Sequence, residues 1–304
     1  MFLNPLYYFN KKNDKILEGE SNLEHYSLKI SQDFIPLIKN FYRSQLISLE
    51  NDYQALKIKK DKITITVYNS GSVVISGRDL LETIIEVETI CKINNNPAIG
   101  SDEAGTGDIF GPITVCACYL DTKNISDMRN SKITDSKKLD DLKIKEIAEK
   151  FIPEVKYALL VLDNKKFNAI AKKHNLNAIK ALLHNQAILK LKEKINDVSD
   201  TIPVILDQFC EKDKYFSYLE QEQKVYKNID FRTKAETYHK SVAMASFIAR
   251  YIFVERLSEA GKKIGIVLPK GANNDVKKLA AELKKNLSPE QYLTILKDNY
   301  RIDI

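Results

Sequence analysis

Apolar and polar positions alternate twice between residues 63 and 76, on either side of a short break. Ile63, Ile65 and Val67 alternate with Thr64, Thr66 and Tyr68, Asn69-Ser70-Gly71 carries turn chemistry, and Val73 to Ser76 resumes the alternation. This predicts a β-hairpin. After Gly77 the period lengthens: Leu80, Leu81, Ile84 and Val87 recur at helical spacing, with Glu82 and Glu86 on the opposite side. Upstream, Tyr26 to Ile30 alternates as a strand does, and Phe34 to Leu46 reads as a helix with Ile38, Phe41 and Tyr42 turned inward. The result is a small α/β unit. It ends at Asn94-Asn95-Asn96-Pro97, a polar cluster closed by a residue that disfavours helix before it. The expected organisation is an N-terminal domain over 1–93, a linker at 94–97 and a larger domain over 98–304.

The larger part opens with Ala98 to Gly107, in which Gly105 and Gly107 interrupt an apolar strand, and the apolar run Ile113 to Leu120 follows Gly111-Pro112. Strand, glycine-rich bend, strand is the simplest reading. Tyr157 to Leu162 is another short strand. Leu176 to Ile195 is a long helix with Ile179, Leu182, Leu183, Ile188, Leu191 and Ile195 on its apolar face. Ile202 to Leu206 is a buried strand ending on Asp207, and Glu236 to Glu255 a second long helix. Strands that alternate with helices predict an α/β domain around a mixed sheet.

Composition narrows the class without choosing a function. With 304 residues, 44% hydrophobic, 29% charged, 10 Gly and 8 Pro, the chain is a globular protein and neither a collagen-like nor a disordered one. The formal charge of +6 is not diagnostic by itself, since 40 of its 47 basic residues are Lys in a sequence also rich in Ile and Asn. Its distribution says more. Residues 1–97 hold 12 basic and 12 acidic side chains, so the whole excess belongs to 98–304, with 35 against 29. No run approaches the ~18 apolar residues of a membrane span. Met1 to Phe9 is apolar, but its lysines follow it, the wrong order for a secretory signal. Cys91, Cys116, Cys118 and Cys210 show no C-x-x-C spacing, and Cys116 and Cys118 read as small core residues on one face of a strand. A reducing, cytoplasmic setting is expected, with no membrane partner and no small-molecule cofactor.

Four carboxylates are candidates for chemistry. Asp102 and Glu103 sit side by side at the end of an apolar strand, where neighbours point to opposite faces unless the strand bends or stops. Gly105 and Gly107 would supply the bend and let the backbone approach a phosphate or sugar, although a charged surface turn explains the same residues equally well. Asp207 ends a strand, where ligand sites collect in α/β sheets; a turn acid is the plain alternative. Glu236 stands three residues after Thr233, which also matches a helix capping box. Hard carboxylate oxygens without a Cys or His cluster suit Mg²⁺ or Mn²⁺ rather than zinc. A pair of such ions serves in-line displacement at phosphorus.

Asp102-Glu103-Ala104-Gly105-Thr106-Gly107-Asp108, Asp135-Ser136-Lys137-Lys138-Leu139, Ile205-Leu206-Asp207 and Lys234-Ala235-Glu236 leading into Ser241 to Ser246 together resemble the type 2 ribonucleases H. The resemblance spans roughly 98–304 and is nearest to the ribonuclease HIII branch. Thr106 replaces the arginine of the HII Gly-Arg-Gly pattern, Glu236 stands where HII usually has aspartate, and an N-terminal domain of TATA-binding-protein-like pattern is present. The resemblance implies a ribonuclease H-like catalytic fold and hydrolysis of the RNA strand of RNA–DNA hybrids by two metal ions, Mg²⁺ or Mn²⁺, leaving 5′-phosphate and 3′-hydroxyl ends. It implies weak action on a single embedded ribonucleotide. By resemblance Asp102, Glu103, Asp207 and Glu236 become metal ligands, and Gly105, Thr106 and Gly107 a backbone clamp on the RNA minor groove, where 2′-hydroxyls mark RNA. Lys137, Lys138 and Lys234 become phosphate contacts, and the N-terminal domain a substrate-binding one through a stripe such as Lys57, Lys59, Lys60 and Lys62 beside Tyr68. His184 and His239 fall outside this set as packed or surface histidines. The chain is expected to be a monomer. Two other readings compete: a hybrid-binding protein without catalysis, and a different phosphoryl hydrolase with Asp207 as nucleophile, which Phe209 disfavours by standing where a second aspartate is needed.

Overall fold

The computed structural model describes residues 24–130, 141–198 and 200–298. The apolar residues at 1–9 and the pair Lys137 and Lys138 lie outside them. The chain divides into two compact units, one holding the described residues up to Ile93 together with Arg129 and Asn130, the other holding the remaining described residues.

In the first unit four antiparallel strands, β1 (Glu24–Lys29), β2 (Gln54–Lys60), β3 (Ile63–Tyr68) and β4 (Ser72–Gly77), lie in the order β1-β4-β3-β2. The expected hairpin is β3–β4, with Val67 opposite Val73. Alternation places Tyr26, Leu28, Leu56, Ile58, Ile65, Val67, Val73 and Ile75 on one face, which α1 (Ile35–Phe41) and α2 (Leu81–Ile90) cover with Ile38, Tyr42, Ile84 and Val87. Three expectations fail here. The helix predicted over 34–46 stops at Phe41, which is 56% exposed, and Leu81 is 47% exposed. Short helices on a four-stranded sheet have room for one inward stripe, and Tyr42 and Ile84 fill it. Nor does Glu86 face away from the core: it accepts from the Tyr42 hydroxyl at 2.7 Å and pairs with Lys60 at 2.7 Å.

The second unit is built on a five-stranded mixed sheet of β5 (Ala98–Ala104), β6 (Ile113–Leu120), β7 (Lys156–Leu162), β8 (Val204–Asp207) and β9 (Ile229–Arg232), in the order β7-β6-β5-β8-β9. β5, β6 and β7 are antiparallel neighbours, while β8 runs parallel to both β5 and β9. Its helices are α3 (Thr122–Asn130), α4 (Asp141–Phe151), α5 (Asn164–Ile170), α6 (Leu176–Lys194), α7 (Lys212–Ser217), α8 (Lys240–Ile264), α9 (Asn274–Asn286) and α10 (Pro289–Ile295). Helix α6 starts where the Asn175 side chain accepts from the Ala178 amide at 2.9 Å, a side-chain cap. It packs on the face carrying Ile99, Val204 and Leu206. Helix α8 packs on the opposite face, where Ala98, Ile205 and Val242 meet. Cys116 and Cys118 are both buried in β6. No helix among the described residues is long and apolar enough to cross a membrane.

The residues expected to form a linker are engaged at their start. The Asn94 amide donates to the Tyr238 carbonyl at 2.9 Å, and Asn94 bridges His239.

Candidate active site

Strand β5 does not bend before its acids. It stays paired with β6 as far as Ala104, opposite Thr114, so Asp102 and Glu103 point to opposite faces of the sheet. Asp102 shares its face with Ala98 and Gly100 and meets Ser246 of α8, which hydrogen-bonds its carboxyl. Glu103 shares its face with Ile99 and Ser101 and meets α6. The glycines act one step later. Gly105 takes φ +85°, and a side chain there would collide with the Pro112 carbonyl and the Phe253 ring, so this turn needs glycine. Gly107 is exposed with nothing within 4 Å of a would-be Cβ, so packing does not explain it.

Because Ser101 pairs with Leu206 in the parallel β5–β8 ladder, the next residues, Asp102 and Asp207, end up beside each other on the α8 face. The Asp207 Oδ1 accepts the Ala235 amide at 2.8 Å, which ties to it the 3-10 turn Ala235–Thr237 that carries Glu236. The long helix begins only at Lys240, four residues later than the sequence suggested, with His239 as its N-cap. The expected capping box is therefore not formed: Glu236 lies in a separate turn, entered through the exposed Lys234 at φ +55° with no side-chain cap. Asp102, Asp207 and the Glu236 turn thus gather at the ends of β5 and β8, while Glu103 is held on the other face.

Electrostatics follow this division. Burial pushes the Asp102 carboxyl well above the usual range, and the charges of Glu103 and Asp207 add to the effect. Burial works on Glu103 in the same direction, but His184 and Lys180 outweigh it and hold that carboxyl below the usual value. Lys180 is ion-paired with Glu103 Oε1, and His184 Nε2 lies 2.9 Å from Oε2. His184 is fully buried, and burial lowers its pKa despite Glu103. A neutral ring between a carboxylate and the Ser101 hydroxyl, 2.8 Å from Nδ1, carries its hydrogen on Nε2 and donates it to Glu103. Sequence reasoning set His184 aside and did not consider Lys180. The available signal was a lysine and a histidine four residues apart on an otherwise apolar helix face.

Lys297, in an exposed-looking polar stretch near the end of the sequence, is a second such residue. It is completely buried, and its ammonium donates to the carbonyl of Asp108 at 2.9 Å and to that of Gly111. Asp108 in turn accepts the Gly271 amide at 2.6 Å. Both interactions anchor the far end of the glycine loop.

Among the described residues no three His, Cys, Asp or Glu side chains stand close enough to enclose a metal ion as they are placed. The donor set nevertheless suits a hard cation. Carboxylates gather at one sheet end, where burial first and the charges of Glu103 and Asp207 second disfavour the ionised Asp102, a cost that a divalent ion would offset.

The family model described as Ribonuclease HII matches residues 99–300. Ribonuclease HIII of Phytoplasma mali (strain AT) is 40% identical over 282 residues, covering 92% of this chain and 97% of that protein. Ribonuclease HIII of Bacillus cereus (strain ATCC 10987 / NRS 248) is 36% identical over 288 residues, covering 87% and 92%. The crystal structure of Bst-RNase HIII in complex with Mn²⁺ superposes with a TM-score of 0.66 at 30% identity, covering 92% of this chain and 96% of that one. A mixed sheet with carboxylates gathered at its strand ends, matched along nearly the whole chain by such relatives, places this chain in the ribonuclease HII family, as a ribonuclease H hydrolase most like the HIII members.

Proposed function

We propose that the chain hydrolyses the RNA strand of RNA–DNA hybrids with two divalent ions held by Asp102, Glu103, Asp207 and Glu236. The observation that carries this reading is that Asp102 and Asp207 each directly follow the paired residues Ser101 and Leu206 of adjacent parallel strands, with the Glu236 turn bonded to Asp207. When bound, a pair of Mg²⁺ or Mn²⁺ ions supplies an activated water and stabilises the leaving 3′ oxygen. The products are then a 5′-phosphate and a 3′-hydroxyl. Mn²⁺ gains support from the Bst-RNase HIII complex. The chain's own contribution is placement: β5 and β8 fix two carboxylates, Asp207 sets the Glu236 turn, and Lys297 and Gly271 hold the loop from which Gly105, Thr106 and Gly107 present backbone amides to the RNA minor groove. Exposed Lys234 serves as a phosphate contact, with Lys137 and Lys138 in the same role.

In the same reading residues 98–304 are the catalytic domain, 94–97 the connection, and 1–93 a substrate-binding domain. Lys57 and Lys59 share one face of the edge strand β2 with Thr64 and Thr66 of β3, while Lys60 turns to Glu86 on the other. The stripe therefore reduces to Lys57 and Lys59 beside Tyr68. With Thr106 in place of arginine, cleavage belongs within ribonucleotide stretches and is weak at a single embedded one. The protein acts as a monomer in a reducing cytoplasm, consistent with four free cysteines.

Incubation with labelled hybrid, duplex RNA and duplex DNA in Mg²⁺, Mn²⁺ or EDTA tests the reading. Hybrid alone should be cut, only with metal, and Asp102→Asn should bind hybrid without cutting it. Turnover by Asp102→Asn would remove that residue from the site, and binding without cleavage by the wild-type chain would favour the non-catalytic alternative.

A further inference from the structure

Both oxygens of Glu103 are occupied, by donors of different kind. Lys180 brings a full positive charge to Oε1, and His184 brings a neutral N–H to Oε2. The two lie one turn apart on α6, and each is fixed from a second side. His184 is bonded to Ser101 and stacks on Phe209 with ring centroids 5.4 Å apart, while the Lys180 ammonium sits 3.9 Å from the centre of the same Phe209 ring. The side chains of Lys180 and Glu103 are only 9% and 12% exposed, so water screens the pair poorly.

These donors differ in what they do to an incoming cation. A carboxylate has about four acceptor directions, so Glu103 can keep the His184 hydrogen bond and still offer a lone pair. The ammonium repels any second cation drawn to that carboxylate. We propose that Lys180 is a positioning residue that holds Glu103 on the α6 side of the sheet and competes with a divalent ion for it, so that this lysine sets how tightly metal binds before substrate arrives. The proposal rests on the reading of Glu103 as a metal ligand.

The test is Mn²⁺ affinity of the full chain without nucleic acid, read from the free-Mn²⁺ electron paramagnetic resonance signal, with circular dichroism and thermal unfolding to show that each variant is folded. Lys180→Met and Lys180→Gln remove the charge, Lys180→Arg keeps it, and Glu103→Gln is combined with Lys180→Met to complete a double-mutant cycle. Lys180→Met and Lys180→Gln should bind Mn²⁺ at least about tenfold more tightly, the effect that a unit charge ~6 Å from a divalent ion has even in a water-like dielectric. Lys180→Arg should stay near wild type, and the gain should vanish in the Glu103→Gln background. Unchanged or weaker binding by both neutral variants overturns the proposal, as does a gain that persists without Glu103. A different result, Glu103→Gln alone binding Mn²⁺ as the wild type does, would strike the ligand assignment of Glu103 itself, and the competition with it.

Discussion

At Gly100 the sheet and the helix that covers its Asp102 face meet backbone to backbone. A Cβ at that position would stand 2.1 Å from the backbone nitrogen of Val242 and 2.2 Å from the carbonyl carbon of Ser241. Ordinary contact begins near 3.4 Å, so Gly100→Ala forces β5 and α8 apart by about 1.3 Å. Neither side can yield by rotating a side chain, since both are backbone in regular elements. The backbone at Gly100 lies outside the left-handed region, so the effect is steric alone. Overpacking of this kind costs about 1–3 kcal/mol. For a unit of this size that is a fall of roughly 3–10 °C in Tm. The functional loss should be larger than the stability loss. Asp102 stands two residues beyond Gly100 on the same face, and its partner Ser246 stands one turn beyond Val242. A shift of about 1 Å between the elements that position a catalytic group costs on the order of a hundredfold in rate. Thermal unfolding and initial rates on a uniform hybrid, measured side by side, provide the assay. A variant with wild-type Tm and wild-type rate would show that the close approach of β5 to α8 does not set the site, and would refute the reasoning.

Three other substitutions probe separate parts of the site. Gly107→Ala meets no atom within 4 Å, so its stability should match wild type to within about 0.5 kcal/mol. Its hybrid binding, measured by anisotropy, should weaken severalfold if the loop backbone touches substrate, and unchanged binding would remove Gly107 from the clamp. Glu236→Gln should abolish hybrid cleavage with no change in Tm, because the residue caps no long helix; a loss of several degrees would instead assign it a structural role. Burial lowers Lys297 from 10.5 to about 7, so between those values the unfolded chain binds more protons than the folded one. Wild-type stability should therefore rise relative to Lys297→Met as pH increases from about 7, by up to ~1.4 kcal/mol per pH unit, and fall back as pH drops through 7. Denaturant midpoints at pH 7 and pH 9 that move in parallel for the two proteins would contradict this.

Much of the architecture was legible because its signals are local. Period-2 alternation located β1, β3 and β4, short apolar runs marked β7 and β8, turn chemistry at Asn69 to Gly71 joined the hairpin, and the helical stripe from Ile179 to Leu191 marked α6. The failures lie where two local signals competed for one tertiary space. Phe41 and Tyr42 both looked inward, yet only Tyr42 reached Glu86 and the core. At Glu236 a good capping pattern was overruled by Asp207, whose carboxylate takes the Ala235 amide from 28 residues away and sets a separate turn ahead of α8.

By itself the sequence determined which residues could do chemistry: four acids at element ends, a glycine loop between two strands, and a mixed α/β order around them. Strand geometry put Asp102 and Glu103 on opposite faces unless the strand bent there, and the bend expected from Gly105 and Gly107 comes only after β5 has paired through Ala104. Only the tertiary structure decided what each of them meets. The parallel register of β5 and β8 brought Asp207 beside Asp102, and α6 carried Lys180 and His184 to Glu103 across about eighty positions of sequence. Periodicity reports which side of an element a residue takes but not which element covers that side. Burying a charge such as Lys180 or Lys297 is tolerated only where the fold supplies its partners.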